Sequence, residues 1–104
     1  NAQETNVNGM IKYLQDPNNW YDKNAVFTIA TKKTPSGGGD DKFWYEDLDL
    51  AGNHMYLAQP RLQNGQVVVD IKNPWHSNKI SCTLTLEQLQ SLGCFDYFSI
   101  TKVK

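Results

Sequence analysis

The chain has 104 residues, which is enough for one small domain with a single core, so we expect residues 1–104 to form one domain. Its net charge of −1 at pH 7 gives no sign of a basic surface for nucleic acid. We therefore expect no nucleic-acid partner. No apolar run approaches the roughly eighteen residues that a membrane helix needs, so we also expect no membrane span.

The N-terminal part predicts one helix and one strand. The chain begins at Asn1 rather than methionine, and we expect it to be cut from a longer polypeptide. Residues 7–16 have apolar side chains at helical spacing, with Asn6 or Asn8 available as N-cap. Residues 25–33 alternate like a strand.

The middle of the chain predicts a β-hairpin. The glycine-rich residues 34–41 indicate a loop, and the aromatic and acidic residues 43–52 allow no firm assignment. Two strand-like segments, 53–62 and 66–73, flank Asn64-Gly65, which suits a type I′ turn because both of its central positions need positive φ.

The C-terminal part predicts a strand, a helix and a strand. Residues 80–86 alternate apolar and polar side chains, and Thr85-x-x-Gln88 has the form of a capping box that opens a short helix ending before Gly93. Residues 95–103 form a last strand. The predicted fold class is therefore α+β, with a mostly antiparallel sheet or partial barrel and two short helices.

The hairpin turn also predicts which side chains share a face. If Asn64-Gly65 fill the turn, Gln63 lies opposite Gln66, and counting back brings His54 and Asn73 onto one face as diagonal neighbours. Trp75 then lies opposite His54. Taken alone, a His–Asn contact at a strand end is most often a structural hydrogen bond, Trp75 most often a core anchor, and Asn73-Pro74 most often a turn.

The segments "NHMYLA" and "VVVDIKNPW" resemble the histidine and asparagine segments of calpain-family cysteine proteases. His54-Met55-Tyr56 stands where that family has a His-Ala-Tyr-like sequence, and Asn73-Pro74-Trp75 matches in full. The similarity extends over most of residues 25 to 103.

The resemblance implies the C-terminal half of a papain-like fold and a Cys-His-Asn plan of catalysis. His54 would be the general base and acid, Asn73 would orient its imidazole, and Trp75 would shield their hydrogen bond from water. The partners implied are an upstream helical subdomain that bears the nucleophilic cysteine, and a peptide or protein substrate.

Neither cysteine of the chain fits the role of nucleophile. Cys82 and Cys94 follow the histidine, whereas the family's nucleophile precedes it, so we expect both to be buried structural thiols. The acidic segment that carries calcium ligands in the animal enzymes is missing after Asn73-Pro74-Trp75, and no spacing suits zinc. We therefore expect no metal and no cofactor.

Three functions remain open from the sequence. The first is the subdomain of a calpain-like cysteine endopeptidase that supplies His54 and Asn73 and is inactive by itself. The second is a catalytically incompetent calpain-like module used for protein binding or regulation. The third is an unrelated small β-rich interaction domain. For the first, we expect an exposed apolar patch near His54, Trp75 and residues 43–45 where the missing half would dock.

Overall fold

A computed structural model of the protein describes residues 2–23, 25–35, 43–74 and 79–102. Trp75 and most of the loop 34–41 lie outside these ranges. The elements in chain order are β1 (Ala2–Thr5), α1 (Val7–Gln15), β2 (Ala25–Thr31), β3 (Phe43–Tyr45), β4 (Leu50–Ala51), β5 (Met55–Gln63), β6 (Gln66–Lys72), β7 (Ile80–Thr85), α2 (Leu86–Leu92) and β8 (Phe95–Lys102).

Six of the strands form one sheet in the order β1-β8-β2-β5-β6-β7, and β3 pairs with β4 in a second, small sheet. Every strand pair is antiparallel. The expected fold class, α+β with a mostly antiparallel sheet and two short helices, is confirmed. Within the described residues the sheet does not close into a full barrel.

Predicted capping residues begin both helices, and the predicted glycine ends α2. The Asn6 side chain accepts the Gly9 N–H at 2.9 Å and caps α1. The Thr85 hydroxyl accepts the Gln88 N–H at 3.2 Å, and the Gln88 side chain accepts the Thr85 N–H at 2.9 Å. This reciprocal pair is the predicted capping box, and α2 ends at Gly93, which is left-handed at φ 71°.

The hairpin has the predicted turn and register. Asn64 and Gly65 both have positive φ, 53° and 78°. Gln63 lies opposite Gln66, and the pairing continues without a bulge to Leu57 and Lys72. Pro60 is accommodated within β5 at this register.

Both helices contribute to a single core on one face of the large sheet. Tyr13 of α1 packs against Phe27 of β2 and Phe98 of β8, with ring centroids 6.0 and 6.4 Å apart. The fully buried large side chains of this cluster include Met10, Leu14, Ile29, Leu50, Tyr56, Val69, Ile71, Leu84, Leu89, Phe95 and Phe98.

The opposite face of the hairpin carries an ion pair between Arg61 of β5 and Asp70 of β6. Asp70 is buried there because Arg61 Nε donates to its Oδ2 at 2.8 Å and Thr83 Oγ1 donates to its Oδ1 at 2.7 Å. Burial raises the pKa of Asp70, but the hydrogen bonds from Arg61 and Thr83 and the charges of Arg61 and Lys72 outweigh it, so the pKa is lowered.

Candidate functional site

His54 precedes β5 and is held through its backbone by Thr31. The Thr31 N–H donates to the His54 carbonyl at 2.9 Å, and the His54 N–H donates to Thr31 Oγ1 at 2.9 Å. The Thr31 hydroxyl in turn donates to the Ala51 carbonyl at 2.7 Å. Thr31 is only 4% exposed and follows an irregularity in the pairing of β2 with β8 at Ala30/Thr31. The backbone of His54 is therefore fixed on both sides.

The residues just before His54 pack closely against the chain that leaves β2. A Cβ atom at Gly52 would come within 2.5 Å of the Thr34 side chain and 3.2 Å of the Lys32 carbonyl oxygen. The Asn53 N–H donates to that same carbonyl at 2.9 Å, and Asn53 has φ 52°. Glycine at 52 is needed for this close approach.

The Tyr56 ring packs against the His54 imidazole in a T-shaped contact. The two ring centroids lie 4.7 Å apart at an interplanar angle of 72°. The Tyr56 hydroxyl donates to the Asp49 carbonyl at 3.1 Å and accepts the Ala51 N–H at 2.8 Å. Tyr56 thus connects the imidazole to the segment Asp49–Ala51, and its burial is the main cause that raises its pKa.

Asn73 follows β6 and meets the His54 ring, as the hairpin register predicted. His54 Nε2 and Asn73 Oδ1 are 3.4 Å apart. The Asn73 N–H donates to the Lys79 carbonyl at 3.3 Å, which ties the residue to the chain entering β7. Both side chains are half-buried.

This contact has a consequence for proton transfer. An amide oxygen can only accept a hydrogen bond, so the His54 tautomer that pairs with Asn73 Oδ1 is protonated at Nε2. In that tautomer Nδ1 carries the lone pair and is the basic nitrogen. The arrangement therefore presents an oriented imidazole whose base is Nδ1.

Both cysteines have environments that oppose ionisation. Burial raises the pKa of Cys82 to about 12, and electrostatic interactions with Cys94 and Asp49 add to the effect. Burial raises the pKa of Cys94 to about 11, and Cys94 is 0% exposed. The nucleophile of a cysteine protease needs a lowered pKa. Neither thiol is therefore activated as a nucleophile; Cys94 is buried as expected, whereas Cys82 is only half-buried.

The aromatic run 43–45 packs against the rest of the domain more than was expected. Trp44 Nε1 donates to the Lys32 carbonyl at 2.8 Å, and the Tyr45 hydroxyl donates to the Leu92 carbonyl at 2.9 Å. Both are half-buried, and Phe43 is the exposed member of the run. The apolar patch expected here is reduced to Phe43 at this run, and its Trp75 boundary falls outside the described residues.

The sequence predicted the contact between His54 and Asn73 but not the hydrogen bonds by which Thr31 holds His54. A threonine at the end of a strand carries no signal of its own, because its hydroxyl meets partners twenty and more positions along the chain. The two hydroxyl contacts of Tyr56 likewise have no signal in the sequence.

The described residues were searched for clusters of metal-ligating side chains and for helices that could cross a membrane. Within those ranges no three His, Cys, Asp or Glu side chains lie close enough together to share a metal ion. No helix of the described segments has the length and apolar character needed to cross a membrane. Comparison of the chain with protein-family models, with curated proteins and with solved structures finds no match.

Proposed function

We propose that this chain is the C-terminal, β-rich subdomain of a calpain-like cysteine endopeptidase with a papain-like fold. In this proposal it supplies His54 and Asn73 to an active site, and a separate helical subdomain supplies the cysteine. The observation that carries the proposal is the 3.4 Å approach of His54 Nε2 to Asn73 Oδ1.

The surroundings of His54 support a catalytic use of this pair. Three contacts with Thr31 hold the His54 backbone, and the Tyr56 ring packs against the imidazole, so the base is positioned by its surroundings. A distance of 3.4 Å is at the long end for a hydrogen bond, and such contacts commonly tighten only when substrate is bound.

The reaction would proceed in two stages. In the first, His54 Nδ1 takes the thiol proton, the thiolate sulfur bonds to the scissile carbonyl carbon, and the imidazolium returns the proton to the amine nitrogen as the C–N bond breaks. In the second, His54 removes a proton from water as the water attacks the thioester and the thiol leaves. Asn73 would hold the ring orientation and keep a proton on Nε2 in both the neutral and the imidazolium form.

A second function, a catalytically incompetent module for protein binding or regulation, is favoured by one observation. The two thiols of the chain are Cys82 and Cys94, and burial holds both in the protonated form at neutral pH. A protein that carries this chain without another cysteine facing His54 Nδ1 could not catalyse the first stage.

The pairing itself is tested in the isolated chain. We expect long-range ¹⁵N spectra of the histidine rings to show His54 mainly as the Nε2–H tautomer when neutral. Asn73→Ala should shift the ring toward a mixture of tautomers, because it removes the acceptor at Nε2. A tautomer population that is the same in both proteins would contradict the orienting role of Asn73.

Catalysis is tested in a polypeptide that joins this chain to its proposed cysteine-bearing half. His54→Ala should lower kcat/KM on a fluorogenic peptide by at least the roughly 10²–10⁴-fold that general acid–base catalysis supplies. Asn73→Ala should cost less, since the imidazole remains, and Trp75→Ala should act in the same direction as Asn73→Ala.

The matched control is the other histidine. His76→Ala should leave kcat/KM near the wild-type value, with folding checked by circular dichroism in every variant. Loss of activity in His76→Ala with a tolerated His54→Ala would overturn the assignment. A His54 ring in the expected tautomer with no peptidase activity in the joined protein would favour the incompetent module.

A further inference from the structure

Tyr56 carries a hydroxyl group that filling the core does not require. Its side chain is 1% exposed, and its backbone lies opposite Ile29 in the pairing of β5 with β2. A phenylalanine would fill nearly the same space, and burying a hydroxyl costs free energy unless hydrogen bonds offset the cost. The hydrogen bonds of this hydroxyl therefore indicate what it contributes.

The Tyr56 hydroxyl has both of its partners in one backbone segment. It accepts the Ala51 N–H at 2.8 Å and donates to the Asp49 carbonyl at 3.1 Å. Burial is the largest cause that raises the pKa of Tyr56, so the hydroxyl stays protonated at neutral pH and continues to donate. The ring is thus held at its outer end by the hydroxyl and at its Cα by the strand.

Asp49, which accepts the Tyr56 hydroxyl, is itself held in place. Its backbone is left-handed at φ 55°, and its carboxylate oxygen Oδ2 accepts a hydrogen bond from Ser81 Oγ of β7 at 3.1 Å. The acceptor of the tyrosine hydroxyl is therefore tied to a separate strand of the large sheet.

Ala51 links the support of the imidazole to the support of the His54 backbone. Its N–H donates to the Tyr56 hydroxyl, and its carbonyl accepts the Thr31 hydroxyl at 2.7 Å. Thr31 Oγ1 also accepts the His54 N–H at 2.9 Å. The ring and the backbone of His54 are therefore both positioned from the same short strand, β4.

The contact between the two rings is close enough to limit rotation of the imidazole. The centroid separation of 4.7 Å lies at the short end of the roughly 4.5–7 Å found for aromatic pairs. Half a turn of the imidazole about its Cβ–Cγ bond exchanges the places of Nε2 and Cε1. The nitrogen that lies 3.4 Å from Asn73 Oδ1 would then be replaced by a carbon, and the hydrogen bond would be lost.

We propose that Tyr56 is a positioning residue for His54. Its anchored ring keeps Nε2 directed at Asn73 and leaves Nδ1 as the basic nitrogen. Because Tyr56 is buried, it acts through the imidazole and not by contact with a substrate. The consequence for catalysis rests on the proposed function, whereas the positioning is a property of the isolated chain.

The tautomer of His54 in the isolated chain tests the positioning. Tyr56→Phe keeps the ring but removes both hydroxyl hydrogen bonds, and long-range ¹⁵N spectra should show a rise in the Nδ1–H form. The shift should go in the same direction as in Asn73→Ala and be smaller, because the acceptor at Nε2 remains. Tyr56→Leu, which also removes the aromatic contact, should give a larger shift than Tyr56→Phe.

Tyr13→Phe is the matched control. It also removes a tyrosine hydroxyl that donates to a backbone carbonyl, that of Asn19 at 2.9 Å, from a ring that packs on Phe27 in the same core. It should leave the His54 tautomers as in wild type, whatever its effect on unfolding in urea. A loss of stability by itself favours neither tautomer, so the comparison separates positioning from packing.

The wild-type protein provides a measurement that does not depend on a variant being folded. The Tyr56 hydroxyl proton should exchange slowly with water and give a nuclear Overhauser effect to the Ala51 amide proton. The ring protons of Tyr56 should give such effects to the ring protons of His54. Absence of either effect would contradict the proposal.

The kinetic test uses the polypeptide that joins this chain to its proposed cysteine-bearing half. Tyr56→Phe should lower kcat about tenfold and leave KM within about twofold of wild type, because a misplaced base slows the chemical step without changing substrate binding. Tyr13→Phe should leave both constants near their wild-type values. A raised KM with an unchanged kcat in Tyr56→Phe would contradict the positioning role.

Three outcomes separate the role of Tyr56 from the proposed function. If Asn73→Ala shifts the tautomer and Tyr56→Phe does not, Tyr56 is a core residue only, and the His54–Asn73 pair still stands. If Tyr13→Phe shifts the tautomer as much as Tyr56→Phe, general loosening is the cause and the proposal is overturned. If the tautomers shift as expected but the wild-type joined polypeptide has no peptidase activity, the positioning is supported and the proposed function fails.

Discussion

Removing the Thr31 hydroxyl is the change whose effect on the candidate site we can predict most quantitatively. Thr31→Val keeps the shape and the β-branching of the side chain but deletes a group that accepts the His54 N–H and donates to the Ala51 carbonyl. Both partners would lose that hydrogen bond. Valine at 31 therefore tests the hydroxyl rather than the packing.

The expected loss of stability follows from burial. A buried donor or acceptor left without its partner costs about 1–3 kcal/mol. The Ala51 carbonyl lies in a buried contact, whereas the His54 N–H is only partly buried and water offsets some of its loss. The added methyl group returns roughly 0.8 kcal/mol. We expect Thr31→Val to lower the free energy of unfolding by about 2–3 kcal/mol.

The assay is urea unfolding monitored by circular dichroism, with a thermal scan beside it. For a domain of this size, 1 kcal/mol corresponds to roughly 4–8 °C, so Tm should fall by about 10–20 °C. Domains of this kind have a free energy of unfolding of about 5–15 kcal/mol, so the variant should still be folded at room temperature. Hydrogen exchange of the His54 amide should also become faster.

Thr28→Val is the matched control. Thr28 lies on the same strand but alternates with the inward-facing Phe27 and Ile29, and it is half-buried. Its replacement should change the free energy of unfolding by less than about 0.5 kcal/mol, as is usual for surface positions. If the two valine variants were equally stable, the Thr31 hydroxyl would not hold His54, and the reasoning above would be refuted.

Three further predictions concern other parts of the molecule. The pKa of Asp70 is lowered in the fold, so its carboxylate stabilises the protein above the ordinary aspartate range and the stabilisation is lost as pH falls through the lowered pKa. Arg61→Met should therefore destabilise at pH 7, and the difference from wild type in urea unfolding should shrink at acidic pH. The pKa values of Cys82 and Cys94 are raised to about 12 and about 11. Both thiols of the folded protein should therefore react with iodoacetamide at pH 8 far more slowly than in urea-unfolded protein, as measured by mass spectrometry. Fast labelling of the folded chain would contradict their protonated state. Thr85→Ala should cost about 1 kcal/mol in urea unfolding because it breaks the capping box, and no change would mean that α2 does not depend on it.

Local chemistry made part of the candidate site predictable. The Asn64-Gly65 turn determines which residues lie opposite each other in the hairpin, and the alternation of side chains then brings His54 and Asn73 onto one face. The same locality applies to Asn6 at α1 and to Thr85 at α2. In each case the residues that interact are close in sequence or joined by a turn of known geometry.

Long-range contacts decided the rest. No local pattern predicts that residues 2–5 pair with β8, because a short polar strand forms only when an edge is available to it. The segment 43–51 became β3 and β4, separated by a short 3₁₀ turn, in contact with distant carbonyls of Lys32 and Leu92. No local sequence pattern predicts such contacts.

The sequence by itself determined the hairpin register, the helix caps and the shared face of His54 and Asn73, since each depends on backbone preferences within a few residues. Only the tertiary structure decided that Thr31 fixes the His54 backbone and that the sheet opens beyond Ala58. The sequence shows that Pro60 has no N–H to donate. Which neighbouring strand lacks that hydrogen bond depends on which residues of β5 bond to β6, as set by the turn, and on the strand that packs on the other side.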